Sequence, residues 1–268
     1  MVLLFILGCF GGFLFGMVGI GGNVLYIPIF GYLLAQLGFQ GADLTRAVVA
    51  NALLILVFTG SAVAWKQYKV GNFFLKEVLL TASTGVFMAF SISLLIKSGD
   101  WYDKRTFDVV FATILALMLL RFFLPQKNTK VEDYQLSTNN YQLLGVGFVT
   151  GTLTAFSGLG GSIIMIPLFT EFLGLPMKKA HSIAVCVVPL LATTISVFYF
   201  FGKPHILPIP PNQLGYLNFG ISIPVIVGSM ITAPFGVKAA HSVKPRTQKL
   251  IFAVIVSVVL LKMLYNFL

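Results

Sequence analysis

Long apolar runs occupy most of this sequence and constrain its fold more than any other feature. They lie at about residues 2–36, 47–65, 73–96, 106–124, 141–173, 180–201, 214–236 and 248–267. A helix needs about 20 residues to cross a hydrocarbon core of about 30 Å, and each run has roughly that length or more. The runs are continuous rather than alternating, which disfavours a membrane β-barrel. The sequence therefore predicts an all-α, multi-pass (polytopic) membrane protein.

The composition excludes several classes of function. Charged residues make up 10% of the chain, against about 25% in an average soluble domain. The net charge of +10 comes from Lys and Arg residues between the apolar runs, as the positive-inside bias of membrane proteins predicts, so we expect no nucleic-acid partner. Cys9 and Cys186 lie inside apolar runs and form no metal-binding spacing, so we expect neither a metal nor another cofactor. The chain also lacks a grouped set of His, Asp, Glu and nucleophilic residues, which argues against an enzyme.

The two halves of the chain repeat one another. The stretch GIGGNVLYIPIF (19–30) matches GLGGSIIMIPLF (158–169) without a gap, and RTFDVVFATILALMLLR (105–121) aligns with RTQKLIFAVIVSVVLLK (246–262). A polar linker, 125–140, separates an N-terminal repeat, 1–124, from a C-terminal repeat, 141–268. Each half thus contains four apolar segments, and internal repeats of this kind are typical of secondary transporters.

The first segment of each half is broken at its G-x-G-G motif, which leaves two topologies to compare. If that segment crosses the membrane once, the Lys and Arg residues divide 8 to 10 between the two sides. If it enters and returns as a re-entrant hairpin, each half crosses three times, the halves are inverted, and the division is 12 to 6. The positive-inside rule favours the inverted arrangement, with both termini outside.

The paired breaks are the best candidates for a transport site, because broken backbone in a membrane is tolerated where protein buries it or a polar cavity faces it. Asn23 and Ser162 follow the glycines, and we expect them to cap the helices that restart there. The free N–H groups of two such helix starts would attract an anion. The alternative is that the glycines serve only close helix packing, as we expect for Gly12-x-x-x-Gly16 and Gly147-x-x-x-Gly151.

The candidate substrate-binding residues comprise the motif residues and three further polar residues. Asn51 is a candidate because an amide in a membrane segment needs partners, and Ser157 directly precedes the second motif. His181 is a candidate because the unperturbed pKa of a histidine is near neutral, although it is also compatible with an interfacial histidine in a basic loop. Arg46 and Lys179 precede the second segment of their halves and are expected to reach towards lipid headgroups. The full candidate set is Gly19, Gly21, Gly22, Asn23, Asn51, Ser157, Gly158, Gly160, Gly161, Ser162 and His181.

The paired GxGG(N/S)xxxxPxF motifs resemble those of the sulfite exporter TauE/SafE family, and the resemblance extends over essentially the whole chain. It implies a transporter in the cell (inner) membrane that exports a small sulfur-containing anion, sulfite or an organosulfonate. Family members often have a third glycine where this chain has Asn23 and Ser162. A channel-like anion pore and a transporter of another small metabolite or ion are the alternatives. Besides the anionic substrate and the lipid bilayer, a second copy of the chain in a homodimer is a further possible partner.

Overall fold

The computed structural model describes residues 1–19, 22–99, 101–123, 139–206, 208–243 and 245–267, and most of them are helical. The helices are α1 (Val2–Val18), α2 (Asn23–Gln36), α3 (Gly41–Lys69), α4 (Leu75–Lys97), α5 (Lys104–Phe123), α6 (Asn140–Ser157), α7 (Ser162–Pro167), α8 (Met177–Phe200), α9 (Phe219–Ser242) and α10 (Pro245–Phe267). A π-helical turn, Leu168–Phe172, continues α7. Two short strands, β1 (Gln213–Leu214) and β2 (Leu217–Asn218), pair antiparallel before α9. The predicted all-α class is confirmed, whereas nearly all of the linker 125–140 lies outside the described residues.

Four helices in the described part of the chain are long and apolar enough to cross a bilayer. They are Gly41–Lys69, Leu75–Lys97, Met177–Phe200 and Phe219–Ala240. Large apolar side chains also remain exposed on the outer helix faces, for example Phe87 on α4 and Val197 on α8. Such a surface needs hydrocarbon rather than water around it, and the chain is a membrane protein.

Helices α3 and α8, the second segments of the two halves, form the centre of the molecule. In their most apolar windows 72% of the α3 residues and 67% of the α8 residues are buried, against 33% in α4 and 44% in α9. The two helices approach closely where a Cβ atom added to Gly60 would lie 3.1 Å from Cδ of Pro189. They run antiparallel, because the start of α3 contacts the chain that follows α8.

The first segment of the N-terminal half packs against the third segment of the C-terminal half. A Cβ at Gly12 would overlap the backbone of Ser229, and one at Gly16 would overlap the carbonyl oxygen of Ala233. The contacts advance by four residues on both helices, so α1 and α9 run parallel. This contact agrees with the close-packing role expected for the Gly12-x-x-x-Gly16 pair, because small residues let helix backbones approach in a membrane.

Helix α6 packs against α4 in the corresponding way. A Cβ at Gly147 would overlap the carbonyl oxygen of Thr81, and one at Gly151 would overlap the carbonyl oxygen of Gly85. The register again advances by four residues on each helix, so these two helices are also parallel. In both halves, therefore, the segment that ends at the G-x-G-G motif is held by the third segment of the other half.

Arg46 does not reach towards lipid headgroups, so that prediction is wrong. Its side chain is buried on α3, and Nη2 donates to the carbonyl oxygens of Ile96 at 3.1 Å and Gly99 at 2.8 Å. Nη1 forms an ion pair with Asp43 at 3.0 Å. The carbonyls at the end of α4 and this carboxylate give the guanidinium charge-assisted hydrogen bonds inside the protein. Arg46 consequently ties the start of α3 to the loop between α4 and α5.

Candidate functional site

Both breaks begin with a glycine in a left-handed backbone conformation. Gly19 ends α1 with φ 74°, and Gly158 ends α6 with φ 68°. The N–H of Gly19 donates to the carbonyl oxygen of Phe15, and that of Gly158 donates to the carbonyl oxygen of Thr154. Glycine is the residue that adopts this conformation without steric cost and commonly ends a helix in this way. The predicted break in the first segment of each half is therefore present at equivalent positions.

The helices restart one residue earlier than the sequence predicted. Gly22 and Gly161 occupy the N-cap positions, and Asn23 and Ser162 are the first helical residues, with no side-chain capping hydrogen bond at either start. The expectation that Asn23 and Ser162 are N-caps is therefore wrong. The backbone turns into the helix at the second glycine of the pair, which leaves both polar side chains available for other contacts.

The first turns of the restarted helices have backbone N–H groups without acceptors. Among the described residues nothing accepts a hydrogen bond from the N–H groups of Asn23, Val24, Ser162 or Ile163. All four residues are buried. A helix always leaves its first N–H groups unpaired, but burying them away from water is costly. Two buried groups of donors thus lie at the two breaks.

Asn23 joins the two breaks directly. Its Nδ2 donates to the carbonyl oxygen of Gly158 at 2.6 Å, a contact between residues 135 positions apart in the chain. The side chain is completely buried, and its Oδ1 has no hydrogen-bond partner among the described residues. The G-x-G-G motif of the first half therefore lies against that of the second half.

The two serines of the second motif differ in their hydrogen bonding. Ser157 donates to the carbonyl oxygen of Leu153 at 2.6 Å and accepts from the N–H of Leu159 at 3.3 Å. Ser162 is completely buried, and its hydroxyl has no partner among the residues described. Ser157 thus stabilises the turn, whereas the hydroxyl of Ser162 can bind a further group.

His181 lies against the first break. It is on the first turns of α8, and a Cβ added to Gly19 would overlap its imidazole ring. Its side chain is partly buried rather than fully exposed in a loop. The histidine of one half thus contacts the motif of the other half, as Asn23 does.

The remaining motif glycines sit in tight packing, as the alternative interpretation expects. A Cβ at Gly22 would lie 2.8 Å from Cα of Gly11, while one at Gly160 would overlap the side chain of Leu56 and one at Gly161 that of Thr150. Close packing and a binding role are compatible at these positions. Gly21 lies outside the described residues.

The Asn51 amide forms four hydrogen bonds within the protein. Its Nδ2 donates to the carbonyl oxygens of Ala47 at 2.7 Å and Tyr216 at 2.9 Å. Its Oδ1 accepts from the N–H of Asn218 and the hydroxyl of Ser222, both at 2.8 Å. These hydrogen bonds join α3 to the β1–β2 hairpin and to α9.

The chain can be assigned to a family, because a model of the sulfite exporter TauE/SafE family matches residues 4–263. The chain belongs to the sulfite exporter TauE/SafE family. Among its relatives is a probable membrane transporter protein of Haemophilus influenzae, which is 26% identical over 98% of this chain and 97% of the relative. A probable membrane transporter protein of Methanocaldococcus jannaschii is 24% identical over 98% of this chain and 94% of the relative. A third probable membrane transporter protein, from Bacillus subtilis, is 22% identical over 99% of this chain and 97% of the relative. No solved structure gives a significant match.

One residue beside the site of this TauE/SafE protein was not singled out from the sequence. Tyr26 is buried, its ring would lie 2.7 Å from a Cβ at Gly22, and its hydroxyl donates to the carbonyl oxygen of Gly8 at 3.3 Å. A tyrosine in an apolar segment resembles the interfacial tyrosines common at membrane surfaces. Only the fold distinguishes a tyrosine buried among helices, such as Tyr26, from one at the membrane surface.

Proposed function

We propose that this protein is a secondary transporter that exports a small sulfur-containing anion, sulfite or an organosulfonate, through a central site at the two breaks. The contact that carries the proposal is the hydrogen bond from Asn23 to the carbonyl oxygen of Gly158, because it brings together two buried helix starts from different halves. Family membership supports transport, and the family's description names sulfite.

The donors at the two breaks support an anionic substrate. Each helix start concentrates about half a positive charge on its free N–H groups, and the hydroxyl of Ser162 adds a neutral donor. The free Oδ1 of Asn23 is an acceptor. An oxyanion that retains a proton, such as hydrogen sulfite, can satisfy both kinds of group at once.

We also propose that the two halves are inverted and that each first segment is a re-entrant hairpin. Equivalent helices run in opposite directions in inverted repeats and in the same direction in parallel ones. The antiparallel course of α3 and α8 supports inversion: Asp43, at the start of α3, accepts from the hydroxyl of Tyr216, beyond the end of α8, at 2.6 Å. Lys179, at the start of α8, forms an ion pair with Glu77, beyond the end of α3, at 2.7 Å.

Inversion requires an odd number of crossings in each half, and a hairpin in the first segment leaves three. Broken segments from two inverted halves that meet near the middle of the membrane are typical of secondary transporters. The positive-inside rule then places the lysine-rich ends of α3 and α9 in the cytoplasm and the protein in the cell (inner) membrane.

Proteoliposome flux measurements test the proposal. Sulfite, taurine and thiosulfate are each offered to vesicles that contain the wild-type protein, with and without the same anion on the opposite side. We expect saturable flux that is accelerated by counterflow. A flux that shows no counterflow would indicate a channel-like pore instead, and an absence of flux and binding for every anion would refute the anion site.

A matched pair of variants tests the position of the site. Ser162→Ala removes one donor to a charged group, worth about 1.5–3 kcal/mol, so we expect kcat/KM to fall about 10- to 100-fold. Thr152→Ala is the control, because Thr152 is only partly buried and its hydroxyl bonds to the carbonyl oxygen of Phe148 in its own helix. Equal flux in both variants would contradict a substrate site at the second break.

A further inference from the structure

A cavity of about 480 Å³ lies between α2, α5 and α10. Its polar lining consists of Lys104, Asp108, Lys262 and Tyr32. Its apolar lining includes Pro28 of the first motif. The cavity thus adjoins the broken segment of the first half and contains more positive than negative charge.

The positive charge in the cavity is only partly compensated. Lys104 forms an ion pair with Asp108 one helical turn further along α5. Lys262 on α10 lines the same cavity, and within the described residues it has no ion pair or hydrogen bond. Among the residues that the structure describes, its ammonium group therefore has no negatively charged partner.

The sequence repeat suggests why no acid pairs with Lys262 within the described part of the chain. The alignment of the halves makes Arg121 the equivalent of Lys262, and extension of the motif alignment makes Glu171 the equivalent of Tyr32. Arg121 and Glu171 form an ion pair in the structure. In the first half the acid is replaced by Tyr32, which has no carboxylate, so the equivalent cation faces the cavity.

Apolar side chains line part of the cavity and also cover the exposed face of α10. Phe111 and Met263 line it, and along α10 the side chains of Val254, Val258 and Leu261 are more than half exposed. A group bound at Lys262 could therefore continue into an acyl chain along α10. An anionic headgroup joined to such a chain matches both parts of this surface, as in basic pockets between membrane helices that bind lipid headgroups.

We propose that the cavity between α2, α5 and α10 binds the phosphate-type oxyanion group of an anionic ligand between Lys262 and Lys104. A lipid headgroup and a free inorganic oxyanion share this chemistry. The site differs from the proposed transport site in its residues and in the source of its charge. Its binding can be measured without any transport assay, so the proposal does not depend on the proposed function.

The test uses the full-length protein purified in detergent with two probes. Phosphatidylglycerol binding is followed by native mass spectrometry, and inorganic phosphate binding by isothermal titration calorimetry. Lys262→Met removes the cation but keeps the length of the side chain, and we expect the affinity to fall about tenfold or more with the loss of a charge-assisted hydrogen bond. Lys97→Met is the control, because this lysine lies near Phe198 outside the cavity.

A second variant copies the closed arrangement of the other half. Tyr32→Glu places a carboxylate opposite Lys262, and we expect it to weaken binding as much as Lys262→Met does. Tyr32 is 65% exposed, so the substitution does not disturb the core. Loss of phosphatidylglycerol binding alone would assign the site to a lipid, and loss of phosphate binding alone to a free oxyanion. Either result supports the proposal. If neither probe binds, or if Lys262→Met binds both as the wild type does, the proposal is wrong.

Discussion

Asn51→Leu is predicted to destabilise the protein strongly rather than to act on the substrate alone. The wild-type amide is completely buried and uses both donors and its acceptor in four hydrogen bonds to α3, the β1–β2 hairpin and α9. Leucine has a similar volume but no polar atom. The substitution therefore removes these bonds without opening a large cavity.

The magnitude follows from the groups that lose their partner. The carbonyl of Tyr216, the N–H of Asn218 and the hydroxyl of Ser222 are all buried, whereas the carbonyl of Ala47 keeps the hydrogen bond of its own helix. Each orphaned buried group costs about 1–3 kcal/mol. Because the hydroxyl of Ser222 can rotate to a carbonyl of its own helix, we count two groups and expect a loss of about 2–6 kcal/mol.

The free energy of unfolding is measured by titration of the detergent-solubilised protein with a denaturing detergent, and hydrogen exchange of the β1–β2 hairpin reports the local effect. Ser61→Ala is the control on the same helix, because Ser61 is exposed and bonds only to Val57. A change below about 1 kcal/mol in Asn51→Leu, with faster exchange absent from the hairpin, would refute this reasoning. Loss of anion binding at unchanged stability would instead make Asn51 a substrate ligand.

Two further substitutions test the contacts that join the halves and the buried charge. Gly16→Leu should prevent α1 from packing on α9, because even a Cβ at Gly16 would overlap the carbonyl oxygen of Ala233. We expect this variant to lose its monodisperse peak in gel filtration. Gly145→Leu is the control and should keep the peak, because a Cβ at Gly145 would have nothing within 4 Å. A normal peak for Gly16→Leu would contradict the α1–α9 packing. Arg46→Met removes the guanidinium that pairs with Asp43. The carboxylate keeps the hydrogen bonds from the Tyr216 hydroxyl and the His205 N–H, so we expect the free energy of unfolding to fall by about 1.5–3 kcal/mol. A free energy of unfolding equal to that of the wild type in denaturant titration would contradict a structural role for Arg46.

The approximate positions of the helices and of the breaks could be predicted from the sequence because both depend on local chemistry. Long apolar runs specify helices in lipid, and glycines specify where the left-handed turns at Gly19 and Gly158 occur. The start of the helix after each break was predicted one residue too late, with Asn23 and Ser162 as the N-caps instead of Gly22 and Gly161. An N-cap preference is a local tendency, and here the preceding glycines took the cap position while the Asn23 amide bonded to Gly158.

The partners of the polar side chains could not be predicted, because they are distant in the sequence. Asn23 bonds across 135 residues and Asn51 across 165 or more. A buried arginine such as Arg46 has the same local sequence as one that reaches the lipid surface. Whether a polar side chain has a hydrogen-bond partner depends on which helix packs against it, and among the described residues the Ser162 hydroxyl has none.

The sequence by itself determined that this chain is a helical membrane protein whose helices are broken at Gly19 and Gly158, since apolar length and glycine content act within a single segment. Only the tertiary structure decided that the breaks meet, that Asn51 supports a hairpin, and that Arg121 pairs with Glu171 while Lys262 has no acid beside it among the described residues. The physical reason is that a hydrogen bond or an ion pair needs two groups in one place, and helix packing alone determines which groups come together.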